Sequence, residues 1–89
     1  MAEIELLIRN QLGLHARACA LFVKTASRFR SEVLVSRDGL QVNGKSIMGV
    51  MMLAAESGAM IVVKTEGPDE QEALTAIQEL VDGKFGGEP

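Results

Sequence analysis

The hydrophobic positions of this chain change their spacing several times, and each change predicts a new element. Near the N-terminus, Ile4, Leu6 and Ile8 alternate with other residues, which is typical of a half-buried strand. After a loop, the apolar positions between about Ala16 and Phe29 recur every three or four residues, which predicts an amphipathic helix. The residues of this stripe are Cys19, Phe22, Val23, Ala26 and Phe29.

The middle of the chain predicts a hairpin and a short helix. The dipeptide Asp38-Gly39 is a strong signal for a two-residue hairpin turn. The alternating residues of the two flanking strands are Val33, Val35, Leu40 and Val42. Ser46, a favoured N-cap residue, then begins a second helix that ends near Leu53.

The last third of the chain predicts a strand, a helix and a tail. Ala59 to Thr65 is rich in strand-forming residues. Asp69, with Glu72 three residues later, resembles a capping box that begins the last helix, and Gly83 ends it. The apolar stripe of this helix is Leu74, Ile77, Leu80 and Val81. Residues 84–89 are expected to form a flexible tail.

The predicted order is βαββαβα, within a single domain that spans residues 1–89. Two helices long enough to cover a sheet imply a two-layer α+β fold. The pattern leaves the strand order open, because a ferredoxin-like arrangement begins with the same βαββαβ string.

Composition narrows the class of function. Only 3% of the residues are aromatic, with no Trp or Tyr, which argues against base stacking and direct nucleic-acid binding. The single cysteine excludes an internal disulfide and fits a reducing compartment. No apolar run approaches the roughly 20 residues that cross a bilayer, and the N-terminus lacks a signal-peptide layout. We therefore expect a cytoplasmic protein without membrane insertion or cofactor, and a monomer by default.

Charge is unevenly distributed around a net value of −3. The segment from Leu6 to Ser31 contains no acidic residue, whereas Glu66 to Pro89 contains seven acids and one base. The bases of the first segment are Arg9, Arg17, Lys24, Arg28 and Arg30. A positive surface of this kind can steer anionic ligands or acidic partners, although a solvated helix face would look the same.

The chain's only histidine, His15, lies where the first helix should begin. Histidine is a poor N-cap residue, and such broken local rules tend to mark functional sites. A neutral imidazole can attack phosphorus, and the resulting phosphoryl group would meet the free backbone N–H groups of Ala16, Arg17 and Ala18. Arg17 could add a charge-assisted hydrogen bond. The alternative is a structural histidine.

Other chemistry for His15 is disfavoured. Cys19 follows it by four residues, but structural zinc usually takes four ligands and the chain has no further His or Cys, so we expect no metal. Triad-type hydrolysis needs an acid that orients the histidine, and the local sequence contains none.

Ser46 has a second possible role as a phosphorylation site, since a phosphoserine is tolerated at a helix start. Methionine-rich stripes suit adaptable docking surfaces, and this helix contains Ile47, Met48, Met51 and Met52. The alternative is that Ser46 is only a cap and that the methionines belong to the core.

Two segments resemble a known family. Gly13-Leu14-His15-Ala16-Arg17 is similar to the phosphohistidine motif of HPr, the phosphocarrier of the bacterial sugar phosphotransferase system. Residues 43–51, Asn-Gly-Lys-Ser-Ile-Met-Gly-Val-Met, are similar to the regulatory serine segment of that family. The resemblance covers essentially the whole chain. It implies an open-faced sandwich, in which three helices cover one face of a four-stranded antiparallel sheet, and so it argues against a ferredoxin-like strand order.

The resemblance also implies a function. HPr-like proteins are not enzymes. They accept a phosphoryl group from Enzyme I, itself phosphorylated by phosphoenolpyruvate, on Nδ1 of the histidine matching His15. They pass it to the A domain of an Enzyme II, and the arginine matching Arg17 interacts with it. The serine matching Ser46 is phosphorylated by HPr kinase/phosphorylase where that enzyme exists, which slows transfer and, in some bacteria, creates a co-repressor for a catabolite-control transcription factor. We expect partners to dock on Lys24, Ile47, Met48 and Met51.

One residue departs from the family pattern. The motif usually continues with proline after the arginine, and this chain has Ala18. Alanine fits the first turn and restores one N–H donor, so we expect His15 to accept phosphate from a less rigid turn.

Three hypotheses follow from the sequence. The chain is a sugar phosphocarrier, a regulatory binding protein that works through Ser46, or a nitrogen-branch paralogue whose phosphate feeds regulation. The A domain that takes the phosphate would separate the first from the third.

Overall fold

The computed structural model describes residues 1–87. Its strands are β1 (Ala2–Leu7), β2 (Glu32–Arg37), β3 (Leu40–Asn43) and β4 (Met60–Glu66). Its helices are α1 (Ala16–Ser27), α2 (Ile47–Met51) and α3 (Glu70–Asp82), and a last turn spans Lys84–Gly87. None of the helices in this part of the chain is long and apolar enough to cross a membrane.

The four strands form one antiparallel sheet in the order β1-β4-β2-β3. The register pairs Ile4 with Val63, and Val63 in turn with Val35, so the alternating apolar residues of neighbouring strands share one face. The strand residues buried on that face include Leu6, Val33, Val35, Ile61 and Val63. The apolar stripes of α1 and α3 join the same cluster, which confirms the α+β fold class with its four-stranded sheet and three helices.

The hairpin between β2 and β3 forms at the predicted dipeptide. Asp38 and Gly39 have φ values of 51° and 87°. Both central residues are therefore left-handed, the conformation that matches the twist of two antiparallel strands.

The first two helices end two residues earlier than predicted, α1 at Ser27 and α2 at Met51. At the end of α1, the N–H groups of Arg28 and Phe29 donate to carbonyls three residues back, both at 3.2 Å. The α-helical pattern therefore tightens there before the chain turns into β2.

The predicted capping box at the start of α3 is wrong. Asp69 is the N-cap residue, but its carboxylate bonds no N–H group of its own helix. It instead accepts hydrogen bonds from the backbone N–H groups of Arg30 and Ser31 at 3.0 and 2.9 Å. A contact between segments distant in sequence has replaced the local cap.

The predicted flexible tail does not begin at Lys84. Phe85 is 1% exposed and belongs to the core cluster. Lys84 and Phe85 have φ values of 56° and 54°, so the chain reverses after Gly83 and brings the ring back to the core. Burial of a phenylalanine side chain, worth about 1.5–3 kcal/mol, offsets much of the cost of this left-handed backbone. The rest of the predicted tail, Glu88 and Pro89, lies outside the described residues.

Candidate functional site

His15 is the N-cap residue of α1, with an extended backbone (φ −73°, ψ 176°), and its side chain makes no capping hydrogen bond. Its carbonyl accepts the N–H of Cys19 at 2.9 Å, the first hydrogen bond of the helix. The N–H groups of Ala16, Arg17 and Ala18 precede that bond and have no acceptor among residues 1–87. The half-buried imidazole therefore lies beside three unused donors.

The backbone before His15 is held from two sides. Asn10 donates a side-chain hydrogen bond to the carbonyl of Gly13 at 2.6 Å, and the N–H of Gly13 donates to the carbonyl of Asn10 at 3.1 Å. On the other side, the N–H of Leu14 donates to the carbonyl of Ala55 at 2.8 Å. Gly13 has a φ of +67°, and a Cβ there would lie 2.4 Å from the Ala55 oxygen. Only glycine fits this close approach.

Cys19 has a structural role, as its place in the apolar stripe predicts. Its side chain is fully buried, and its Sγ donates to the carbonyl of Leu14 at 3.3 Å. Burial raises the pKa of the thiol, which keeps it protonated and able to donate. This contact further fixes the residue that precedes His15.

Ala18 is fully buried, although the two residues before it, Ala16 and Arg17, are exposed. Its methyl group therefore packs in the core while its N–H belongs to the free donors of the first turn. Ala18, which replaces the usual proline of the family motif, therefore lies where the first turn of α1 packs against the core.

The first turn of α1 contains Arg17 and no acidic residue, and the last turn contains Lys24. Arg17 and Lys24 are exposed, and neither takes part in the ion pairs found among residues 1–87. Arg28 instead lies over the ring of Phe29, 5.4 Å from its centroid, which gives that cation a local packing partner. Arg17 and Lys24 therefore remain available to an anionic ligand or partner.

Ser46 caps α2 as the sequence predicts. Its Oγ accepts the N–H of Gly49 at 3.1 Å, and the residue is half-buried. The neighbouring Lys45 extends to the end of α1, where its Nζ donates to the carbonyl of Phe29 at 2.8 Å. Through this contact and its own packing, α2 is attached to the helix that begins at His15.

Four apolar residues at α2 are exposed and do not belong to the core. We call Ile47, Met48, Met51 and Met52 the α2 patch; all four are exposed, Met48 by 78%. Val50 and Leu53 supply the buried side of this segment. Exposed apolar clusters of this kind mark interaction surfaces. Leu12, in the loop before His15, is also exposed, and its place in an irregular loop gives no periodic signal that could have predicted this.

A groove of about 560 Å³ lies between the end of α1 and the exposed side of α3. Its lining residues are Arg28, Phe29, Gln71, Glu72, Thr75, Ala76 and Glu79. Neither His15 nor Ser46 belongs to it. His15 lies instead at the surface, where its side chain is partly exposed, as expected for a domain of this size.

The family described as "PTS HPr component phosphorylation site" matches residues 2–82. The chain belongs to the HPr family. It is 56% identical over 79 residues to the phosphocarrier protein HPr of Neisseria meningitidis, covering 89% of each chain. The crystal structure of an HPr from Thermoanaerobacter tengcongensis superimposes with a TM-score of 0.96 at 47% identity, covering 100% of both chains. The HPr-like protein Crh of Halalkalibacterium halodurans is 51% identical over 77 residues, which is 86% of this chain and 92% of that one. The HPr fold expected from the sequence motifs is thereby confirmed.

Proposed function

We propose that this HPr-family protein is a phosphoryl carrier of the sugar phosphotransferase system that uses His15. The observation that supports this role best is the pairing of an uncapped histidine with the three free N–H groups of the first turn of α1. A phosphoryl group on the ring would lie where a helix favours negative charge.

In the proposed transfer, Nδ1 of a neutral His15 forms a bond to the phosphorus of phosphorylated Enzyme I. The bond from phosphorus to Enzyme I breaks, and its electron pair returns to that protein. Arg17, which is exposed and has no ion-pair partner among residues 1–87, adds a charge-assisted hydrogen bond to the phosphoryl oxygens. Because the site is at the surface, the group can then move to the A domain of an Enzyme II.

Partners dock, in this proposal, on a surface made by Lys24 of α1 and by Ile47, Met48 and Met51 of the α2 patch. The exposure of all four residues supports this. A cation beside apolar side chains suits a partner that surrounds an apolar contact with acidic residues. The proposed partners are cytoplasmic, and a free buried thiol at Cys19 fits a reducing compartment.

Regulation is proposed at Ser46. Phosphorylation by an HPr kinase/phosphorylase would place about two negative charges beside the α2 patch. An acidic partner site would be repelled, so inhibition acts at the interface without refolding the domain. The same phosphate could also create a binding site for a catabolite-control transcription factor.

The second candidate is a nitrogen-branch or purely regulatory HPr paralogue. The exposed α2 patch beside Ser46 favours phosphorylation-dependent protein binding as much as it favours transfer. The carrier role requires His15, whereas the purely regulatory role requires only Ser46.

A reconstituted relay tests the proposal. Labelled phosphoenolpyruvate, Enzyme I, this protein and a soluble sugar-specific A domain are mixed, with a nitrogen-branch A domain in a parallel reaction. We expect label on the sugar-specific A domain only when this protein is present, and no label when it carries His15→Ala. Label on the nitrogen-branch domain alone would support the paralogue, and label transferred by His15→Ala would overturn the assignment of the acceptor.

A further inference from the structure

We infer that Arg37, at the end of β2, is a positioning residue for His15, because it holds the turn against which the backbone before His15 packs. The inference rests on the proposed role of His15 as the phosphate acceptor. Arg37 lies 22 positions from His15 in the sequence, and no local pattern connects the two residues.

The guanidinium of Arg37 binds three of the four residues of the turn at residues 53–56. Nη1 donates to the carbonyl of Ala54 at 2.8 Å and to that of Leu53 at 3.3 Å. Nη2 forms an ion pair with the carboxylate of Glu56 at 2.7 Å. Only 22% of the Arg37 side chain is exposed. The planar fork of an arginine suits such a set of contacts, which a single ammonium group could not reproduce.

The turn needs an external support. Ala54 has a φ of +48°, in the left-handed region that a residue with a Cβ rarely adopts. Such residues persist where neighbouring groups hold them. The carbonyls of Leu53 and Ala54 lie just beyond the last residues of α2, where helix geometry supplies no donor. Arg37 supplies one from outside the helix.

The same turn holds the segment before His15. Ala55, between the residues that Arg37 binds, accepts the N–H of Leu14 at 2.8 Å. The missing side chain of Gly13 lets the backbone approach both Ala55 and Glu56, since a Cβ at Gly13 would lie 2.4 Å from the Ala55 oxygen and 2.9 Å from the Glu56 Cα. Leu14 is covalently attached to His15, so a shift of the turn would move the imidazole and the free N–H groups after it.

Arg37 differs in this respect from Arg17 and Lys24. Its charge is already paired with the carboxylates of Glu56, at 2.7 Å, and Asp38, at 3.5 Å. The pKa of Glu56 is lowered by a hydrogen bond from its own backbone and by Arg37. The arginine is therefore engaged within the domain, and removing it should change the geometry of His15 more than the docking of a partner.

Steady-state phosphorylation by Enzyme I tests this role, with the full-length protein as the varied substrate. We expect Arg37→Gln to lower kcat about tenfold, because a small misplacement of the reacting imidazole slows the transfer step. KM should stay within about twofold of wild type, because the docking residues keep their places. Arg37→Lys keeps the charge but loses the fork, and should recover only part of kcat. Lys64→Gln removes the same charge from a half-buried position on β4 outside the turn, and should leave both constants unchanged.

A spectroscopic measurement separates positioning from general stability. Hydrogen exchange at the Leu14 amide should accelerate at least about tenfold in Arg37→Gln, while amides in the centre of β4 stay close to wild type. Equal acceleration at all amides, an increase in KM with unchanged kcat, or unchanged kinetics would each overturn the inference. If wild type itself is not phosphorylated on His15, the proposed function fails instead.

If Arg37→Gln does not fold, Glu56→Gln provides the test. Glu56 is 66% exposed, and the substitution removes its ion pair with Arg37 while leaving the backbone contacts of Arg37 and its pairing with Asp38. We expect a smaller decrease in kcat, about twofold to threefold, together with faster exchange at Leu14. Wild-type values for both quantities would overturn the inference.

Discussion

Asp69 and Ser31 lie 38 residues apart in the sequence and are joined by three hydrogen bonds. The Asp69 carboxylate accepts the backbone N–H of Ser31 at 2.9 Å and its hydroxyl at 2.5 Å, and the N–H of Asp69 donates back to that hydroxyl oxygen at 3.1 Å. The contact fixes the start of β2 to the start of α3.

This contact predicts a pH dependence of stability. Hydrogen bonds from Ser31 and from the backbone of Arg30 lower the pKa of Asp69 from its ordinary value of 3.8 to about 2. A carboxylate with a lowered pKa stabilises the fold above its unfolded pKa, and this contribution disappears as pH falls through the folded value. We therefore expect the free energy of unfolding, measured with urea, to fall between about pH 4 and pH 2.

Asp69→Asn should remove much of this decrease, because the amide does not titrate. Asp82→Asn, on an exposed residue at the end of α3, should keep the wild-type profile. If the free energy of unfolding of wild type and of Asp69→Asn fell in parallel with pH, the Asp69 carboxylate would not be the cause of the decrease.

The approach of Gly13 to Ala55 predicts an effect of a single methyl group. Gly13→Ala combines a φ of +67° with a Cβ placed 2.4 Å from a backbone oxygen, and should destabilise the fold by about 2 kcal/mol or more. Gly39→Ala is a matched control, because its φ is +87° but its Cβ would meet nothing within 4 Å. We expect this control to cost only about 1 kcal/mol in urea unfolding. Equal losses of stability in the two variants would mean that the close approach of Gly13 to Ala55 does not contribute to the cost of the substitution.

Ser46 allows the cap to be separated from the proposed regulation. Ser46→Ala removes the acceptor of the Gly49 N–H and should cost about 1 kcal/mol of stability. Ser46→Asp keeps an acceptor but adds charge beside the α2 patch, so we expect an increased KM for phosphorylation by Enzyme I. Amide chemical shifts should change only around α2. Widespread shifts would instead indicate that the charge acts by refolding the domain.

Ala18→Pro tests the departure from the family motif. The N–H that proline lacks belongs to a helical first turn, where it has no acceptor among residues 1–87. The substitution removes one of the three donors proposed to hold the phosphate but makes the first turn more rigid. Because these two effects oppose each other, we expect the rate of His15 phosphorylation to change by less than about threefold. A many-fold faster variant would show that alanine at this position limits transfer.

The elements predicted from the sequence are those set by neighbouring residues. The helical stripe of α1, the left-handed pair at Asp38-Gly39 and the Ser46 cap follow from local rules, and each is present in the structure. A ferredoxin-like strand order could be argued against only from the HPr resemblance, because the periodicity of a sequence does not determine which strands pair.

The predictions that failed involve contacts between distant segments. Asp69 has the sequence context of a helix cap. Its carboxylate instead accepts hydrogen bonds from the backbone N–H and the hydroxyl of Ser31, a contact that no local sequence pattern indicates. Phe85 follows a helix-ending glycine and precedes two more glycines, which is typical of a tail, yet the core has room for its ring. The contacts of Arg37 with residues 53–56 likewise join segments that are distant in sequence, and no local pattern indicates them.

The most direct test of the account is to locate the phosphate. The protein is incubated with phosphoenolpyruvate and Enzyme I, digested at neutral to alkaline pH, and mapped by mass spectrometry. We predict one phosphoryl group on His15, lost after brief acid treatment, retained in Ser46→Ala and absent from His15→Ala. An acid-stable phosphate on another residue, or equal phosphorylation of His15→Ala, would contradict the assignment of His15 as the carrier.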